Sequence, residues 1–196
     1  MRNTEKYKNN SVQLLKDFDL LHVPVNLTKL AQELDITIVS ESLGDDVSGK
    51  IEYNSNDNNV LITISQDEIE FRQNFSLAHE LGHYIYDIDF SERHVEIEDQ
   101  TTFLRSNSNN SIERRANQFA ARLLMPKDLF NNVTNKIKND LFPNSSNKLG
   151  VKNIYKIVSE LSEKFHVSKP AVIMRLAAIE KINRNMKSEL FEYHAL

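Results

Sequence analysis

The sequence predicts an α+β fold: a small antiparallel or mixed sheet packed on a helical core, followed by a C-terminal helical hairpin. Three observations predict it. Short apolar runs rich in β-branched residues fall between Ile36 and Ile64. From about Asp67 onward the apolar residues recur at helical spacing instead. Near Pro143 a polar, turn-forming stretch separates the main body from two last helical segments. With 196 residues the chain is long enough for one domain with a real core and a small helical appendage.

The elements follow in order. Val12, Leu14, Leu15 and Phe18 share one face of a first helix, roughly Lys8 to Asp19. Pro24 and Asn26 introduce a second, Leu27 to Leu34, with Leu27, Leu30, Ala31 and Leu34 facing inward. Strands are expected at 36–39, 49–53 and 60–64, and the Asn-rich run at 54–59 reads as a hairpin loop. A long helix should end near Tyr86. After a polar stretch at 105–110, another runs from about Ser111 to Met125. Pro126 suits the first turn of a helix reaching about Asn139. Helices at about Val151–Phe165 and Ser168–Ile182 complete the chain, and its last residues carry no clear pattern. These boundaries divide it into a main domain, 1–142, and a helical subdomain, 143–196.

Composition narrows the function. The formal net charge is −4, so the strongly basic balance of a dedicated nucleic-acid binder is absent. There is no cysteine, which excludes disulfides and thiolate metal sites, and any metal must be held by His, Asp or Glu. The same absence fits a reducing compartment. No apolar run resembles a signal peptide or membrane span, and the protein is expected to be cytoplasmic and free of the membrane.

The chemistry sits in Phe75–Tyr86, which contains His79-Glu80-Leu81-Gly82-His83, an H-E-x-x-H pattern. On a helix, residues four apart stack on one face, so His79 and His83 can direct both imidazoles at one divalent cation. Glu80, about 100° round the helix from His79, can reach a water on that cation and act as general base. Gly82 costs the helix about 1 kcal/mol relative to Ala, and close approach of another element would account for that cost. The bland alternative places both histidines on a solvated face.

A catalytic zinc usually takes three protein ligands. The segment lacks the H-x-x-G-x-x-H continuation of metzincins, so the third must come from elsewhere. Glu113 opens a helix whose Ala116, Ala120, Leu123 and Leu124 form a face small enough at the alanines to lie against Gly82. Glu113 also stands three residues after Asn110, the spacing of a capping box, and local pattern alone does not choose between the roles. Asp87, Asp89, Glu92 and His94 are rival ligands.

Together, Phe75–Asp87 and Glu113–Pro126 resemble the two signature blocks of the ImmA/IrrE metallopeptidases, a gluzincin-like group. The second block reads E-x-x-A-N-x-F-A-x-x-L-L-M-P here, including its Met-Pro end. The resemblance extends over about Leu27 to Leu176. It implies a zincin-type helical core, one Zn2+ per chain, and Glu113 as third ligand with His79 and His83. It also implies a zinc metallo-endopeptidase that cleaves a helix-turn-helix repressor or similar partner, as an anti-repressor in a mobile element, phage or stress circuit.

The remaining roles are open. Asn117 is a candidate to orient a ligand imidazole. Tyr84, Tyr86, His94 and His166 are candidates to stabilise an oxyanion, although the two tyrosines fit a core or rim position better. Leu161 to Leu176 resembles a helix-turn-helix, capped by Ser168, but its second helix is mainly apolar. A structural hairpin is therefore favoured over DNA readout. The alternative function is a DNA- or protein-binding transcriptional regulator with a non-catalytic metal site. The polar segment from Phe90 to Asn110, lying between the two motif helices, is a candidate lid.

Overall fold

The computed structural model describes residues 4–44, 47–54, 56–88, 111–143 and 149–195, and residues 94–99 by their backbone. The chain divides into two compact units, Met1–Leu21 with Val25–Leu124, and His22–Pro24 with Met125–Leu196.

The first unit is α+β. A short 3-10 turn, Glu5–Tyr7, precedes α1, Ser11–Asp17. Helix α1 is shorter than its apolar pattern suggests. The Asn10 side chain caps its start by accepting from the Gln13 amide at 3.1 Å, and Asp19 adopts a left-handed φ of 55° just beyond its end. Asn26 caps α2, Leu27–Glu33, in the same way, accepting from Lys29 N at 2.9 Å. Leu30 and Ala31 of α2 are fully buried.

Three strands lie where alternation places them: β1 Ile36–Glu41, β2 Gly49–Asn54 and β3 Asn59–Ser65. A fourth, β4 His94–Asp99, lies in a segment whose charge reads as loop. Its sequence, His-Val-Glu-Ile-Glu-Asp, alternates apolar and acidic residues over its middle four positions, the period of a strand. The mixed sheet has the order β1-β3-β2-β4. β1 runs parallel to β3, with Ile38 opposite Ile62, and β2 is antiparallel to both neighbours, with Ile51 opposite Ile62 and Ile97.

Helix α3, Glu70–Tyr86, packs on β2 and β3 and, most extensively, on α4, Ser111–Leu124. Leu81, Ala116, Ala120 and Leu123 are fully buried there. Burying a leucine this completely contributes roughly 1.5–3 kcal/mol, so the α3–α4 contact is held by apolar packing before any polar group is counted.

The second unit is helical: α5 Lys127–Leu141, α6 Val151–Phe165, α7 Lys169–Ala178 and α8 Arg184–Ala195. Phe130 of α5 meets Phe165 of α6, ring centroids 5.1 Å apart. Ser168 caps α7 by accepting from Ala171 N, as its position predicts. Helix α8 has no counterpart in the sequence reading. Its visible signal is Asn183, whose side chain accepts from Met186 N at 2.9 Å, and one fully buried residue, Leu190. On α7, Ala171, Val172, Ile173 and Leu176 are core, and the buried Arg175 donates from Nε to the Met125 carbonyl at 2.9 Å. Among the described residues no helix is long and apolar enough to cross a membrane.

Candidate metal centre

His79, Glu80 and His83 all lie on α3 and are fully buried. The stacking of residues four apart brings the two imidazoles together, with ring centroids 4.7 Å apart and Nε2 atoms 2.9 Å apart. Helix α4 supplies the carboxylate. Glu113, Ala116, Asn117 and Ala120 recur at i, i+3, i+4 and i+7, which is one helix face. That face meets α3 at Gly82: a Cβ there would stand 3.0 Å from Ala116 Cα and 3.1 Å from its carbonyl oxygen. Gly82 is therefore the close approach that accounts for a glycine inside the helix.

One turn before Ala116, Glu113 reaches both rings, with Oε2 3.2 Å from His79 Nε2 and Oε1 3.5 Å from His83 Nε2. One ligand atom from each of His79, His83 and Glu113 falls within 4.8 Å of the other two. Asn110, the partner the capping box would need, lies outside the described residues, and the Glu113 carboxylate is turned to the histidines.

The donor chemistry of this cluster fits a divalent cation. His83 Nδ1–H donates to Asp87 Oδ2 at 2.9 Å, and His79 Nδ1–H donates to Asn117 Oδ1 at 3.0 Å. Both acceptors are oxygens without a proton to give, so they fix each neutral ring as the Nδ1–H tautomer. Two bare Nε2 lone pairs and a carboxylate then converge on one point. Three acceptors so close repel one another unless a cation or a proton stands between them. Two imidazoles and a carboxylate suit zinc, and also manganese or iron.

Without a cation, a proton on His83 would fill that place. Burial is the largest single influence on His83 and pushes its imidazole down. The hydrogen bonds to Asp87 and Glu113 and the charges of Glu80 and Glu113 together outweigh burial and carry it up to about 10. Glu113 is held well below the ordinary carboxylate range, first by its hydrogen bond with His79 and then by that with His83. The Glu80 carboxylate lies against β2, where a Cβ on Gly49 would stand 3.0 Å from Oε1 and 3.3 Å from Cγ. Only a residue without a side chain leaves it that room.

The other candidates divide. Asn117, a candidate to orient a ligand imidazole, lies at the His79 ring. Asp87, weighed as a ligand, instead sits behind His83 on its Nδ1 side. Tyr84 is buried on α3 about 100° round from His83, a core position. The Tyr86 hydroxyl bonds Asn9, accepting from its amide at 2.7 Å. His166 belongs to the second unit, where it closes α6 in a left-handed conformation. His94 opens β4 opposite Asn54 in the register, and its side chain lies outside the described residues, as do Asp89, Glu92 and the Ser106–Asn109 stretch of the expected lid. Sequence reasoning missed Gly49 and Arg115. The Arg115 guanidinium pairs with Asp87 through Nη2. A cation two residues after Glu113 was the available signal for it, whereas nothing local marks Gly49.

Comparison with known proteins agrees with this architecture. A solved structure, titled Mycobacterium tuberculosis transcriptional regulator, superposes with a TM-score of 0.51 at 16% identity. The match covers 88% of this chain but 46% of that one, so it speaks for the fold, and this chain spans less than half the length of that protein. No curated protein matches the sequence. The family model of the M78 peptidases, described as the IrrE N-terminal-like domain, matches residues 31–177, which takes in α3, α4 and both motif blocks. With more than half its length matched, the chain belongs to this metallopeptidase-like family, as the resemblance of its two motif helices implied.

Proposed function

We propose that the protein is a zinc-dependent, site-specific endopeptidase that cleaves a regulatory protein, a helix-turn-helix repressor or a similar partner. The observation that carries this reading is the convergence of His79 Nε2, His83 Nε2 and the Glu113 carboxylate, with both Nδ1 atoms already committed elsewhere. A zinc ion held by these three residues would supply Lewis acidity toward the scissile carbonyl and the attacking water. Glu80, anchored one residue from His79 and backed by Gly49, takes the proton from that water at its carboxylate. It then returns the proton to the nitrogen of the leaving amine. Asn117 and Asp87, each accepting from an Nδ1–H, would keep the two rings oriented with Nε2 toward the ion. Absence of cysteine and of a membrane-crossing helix among the described residues favours a cytoplasmic place for this activity.

The alternative, a DNA-binding regulator with a structural metal, draws on the helix-turn-helix likeness of α6 and α7. Two features of the second unit weigh against it. Arg175 is committed to the Met125 carbonyl, and Lys169 sits over the Tyr155 ring, 5.3 Å from its centroid. That leaves Met174 as the large exposed side chain of α7, where a reading helix presents polar groups to base edges.

The test is to incubate the zinc-loaded protein and its Glu80→Gln variant with the repressor encoded nearest its gene. Intact-mass spectrometry of both mixtures then locates any cut. The variant should hold as much zinc as the wild type and cut about a hundredfold to ten-thousandfold more slowly. Equal cutting by both would end the assignment of Glu80 as base.

A further inference from the structure

Helix α4 touches the two ligand imidazoles in different ways. On His79 it acts directly, through the Asn117 carboxamide oxygen at 3.0 Å. On His83 no α4 residue reaches the Nδ1 side. That side is taken by Asp87, which belongs to α3 and lies four residues after His83. Asp87 is the last cap of α3, and its own amide donates to the His83 carbonyl at 2.8 Å. A carboxylate at this end faces the negative pole of the helix dipole and the unsatisfied carbonyls of the last turn. Left alone, it would gain by swinging outward to water. Arg115 opposes that swing.

Its Nη2 pairs with Asp87 Oδ1 while Oδ2 accepts from His83, so the two oxygens divide between guanidinium and imidazole. The guanidinium in turn rests on the face of Tyr86, 5.0 Å from the ring centroid. Tyr86 is itself fixed, edge-on to Phe119 at 5.9 Å and bonded through its hydroxyl to Asn9 N at 2.7 Å.

We infer that Arg115 is a positioning residue for the metal centre: acting through Asp87, it fixes the tautomer and direction of His83. The inference rests on the metal reading above and adds to it a residue that touches no ligand atom. Helix α4 thus contributes three groups from five consecutive positions, a ligand in Glu113, a direct orienter in Asn117 and a relayed one in Arg115.

Arg115 is 41% exposed and Asp87 9%, so water screens the pair only in part. A merely structural role therefore predicts a less stable metal-free fold with zinc affinity unchanged. A positioning role predicts weaker metal binding at unchanged fold.

The experiment measures zinc affinity by competition with a chromophoric chelator, on the full chain, for wild type, Arg115→Met, Arg115→Lys, Asp87→Asn and the Arg115→Met/Asp87→Asn double variant. Thermal unfolding of each metal-free protein serves as the folding control. Arg115→Met should weaken zinc about tenfold, within the range usual for groups behind a ligand histidine, and Arg115→Lys should recover most of that loss. In the Asp87→Asn background Arg115→Met should cost almost nothing more, because the relay is already cut. Equal affinity of Arg115→Met and wild type, or losses that multiply independently in the double variant, overturns the inference and leaves the metal site standing. A wild-type protein that takes up no zinc overturns both.

Discussion

At the scale of single residues, the chemistry of the site depends on where protons sit on His83 and Glu113. In the metal-free protein the His83 imidazole is raised from an ordinary 6.5 to about 10, so its contribution to folding is fully present below pH 6.5 and is lost as pH rises toward 10. Glu113 is lowered from 4.5, so its contribution is present above pH 4.5 and is lost as pH falls through its depressed value. The two windows overlap between pH 4.5 and 6.5, where the metal-free site is most stabilising. Zinc needs the neutral imidazole and must displace that proton. Its apparent affinity should therefore rise about tenfold for each pH unit between pH 6 and 8, the slope set by one released proton. Chelator competition at three pH values reads the slope directly. A flat profile would show that no proton leaves His83 when zinc binds.

At the scale of elements, the site is a helix pair whose spacing is set by one missing methyl group. Replacing Gly82 with Ala would improve the propensity of α3 by about 1 kcal/mol. Yet the new Cβ would meet Ala116 Cα at 3.0 Å and its carbonyl oxygen at 3.1 Å, and backbone atoms cannot turn aside as a rotamer can. Overpacking of this kind costs roughly 1–3 kcal/mol, so the clash outweighs the propensity gain. Gly82→Ala should leave the metal-free protein less stable in urea unfolding by up to about 2 kcal/mol, and weaken zinc because α4 carries Glu113 away with it. A variant more stable than wild type would mean that α4 gives way at no cost.

The same helix pair shows what the sequence can and cannot convey. His79, Glu80 and His83 are legible because helical geometry alone juxtaposes residues four apart. Glu113 is not, since its place depends on how α3 and α4 meet, and only the likeness of its block to a known family separates it from a helix cap. Asp87 has the right spacing from His83, but direction decides whether it binds metal or backs a ring, and direction comes from Arg115 on another helix. The long periodic helix α6 is read to the residue. The β4 strand and α8 are not, because the acidic charge of the first reads as loop and the second has one fully buried residue, Leu190, to mark its apolar face. His94 and His166 entered as oxyanion candidates through residue type, and of the two only the His166 side chain is described, at the end of α6.

At the scale of the whole molecule, a net charge of −4 conceals a segregation. Met125–Leu196 holds twelve Lys and Arg against seven Asp and Glu, a formal +5. His22–Pro24 has none of these residue types, so the first unit holds twelve against twenty-one, a formal −9. Self-repulsion on that scale destabilises a compact unit, and any divalent cation relieves part of it by screening. Zinc should do more, because all three candidate ligands lie in the first unit. At a free concentration a hundredfold above its dissociation constant, specific binding adds about 2.7 kcal/mol to the unit that binds. For a unit of this size that amounts to a rise in melting temperature on the order of 10 °C.

Scanning calorimetry of the metal-free chain should therefore resolve two transitions. Stoichiometric zinc should move one of them upward and leave the other in place, whereas magnesium at the same concentration should move neither by more than about 1–2 °C. The transition that moves should be the one that His83→Ala lowers in the presence of zinc. Equal shifts from the two cations would reduce the effect to screening of an acidic surface. A zinc shift of both transitions together would show that the units unfold as one, so that metal held by α3 and α4 stabilises the helices beyond Met125 as well.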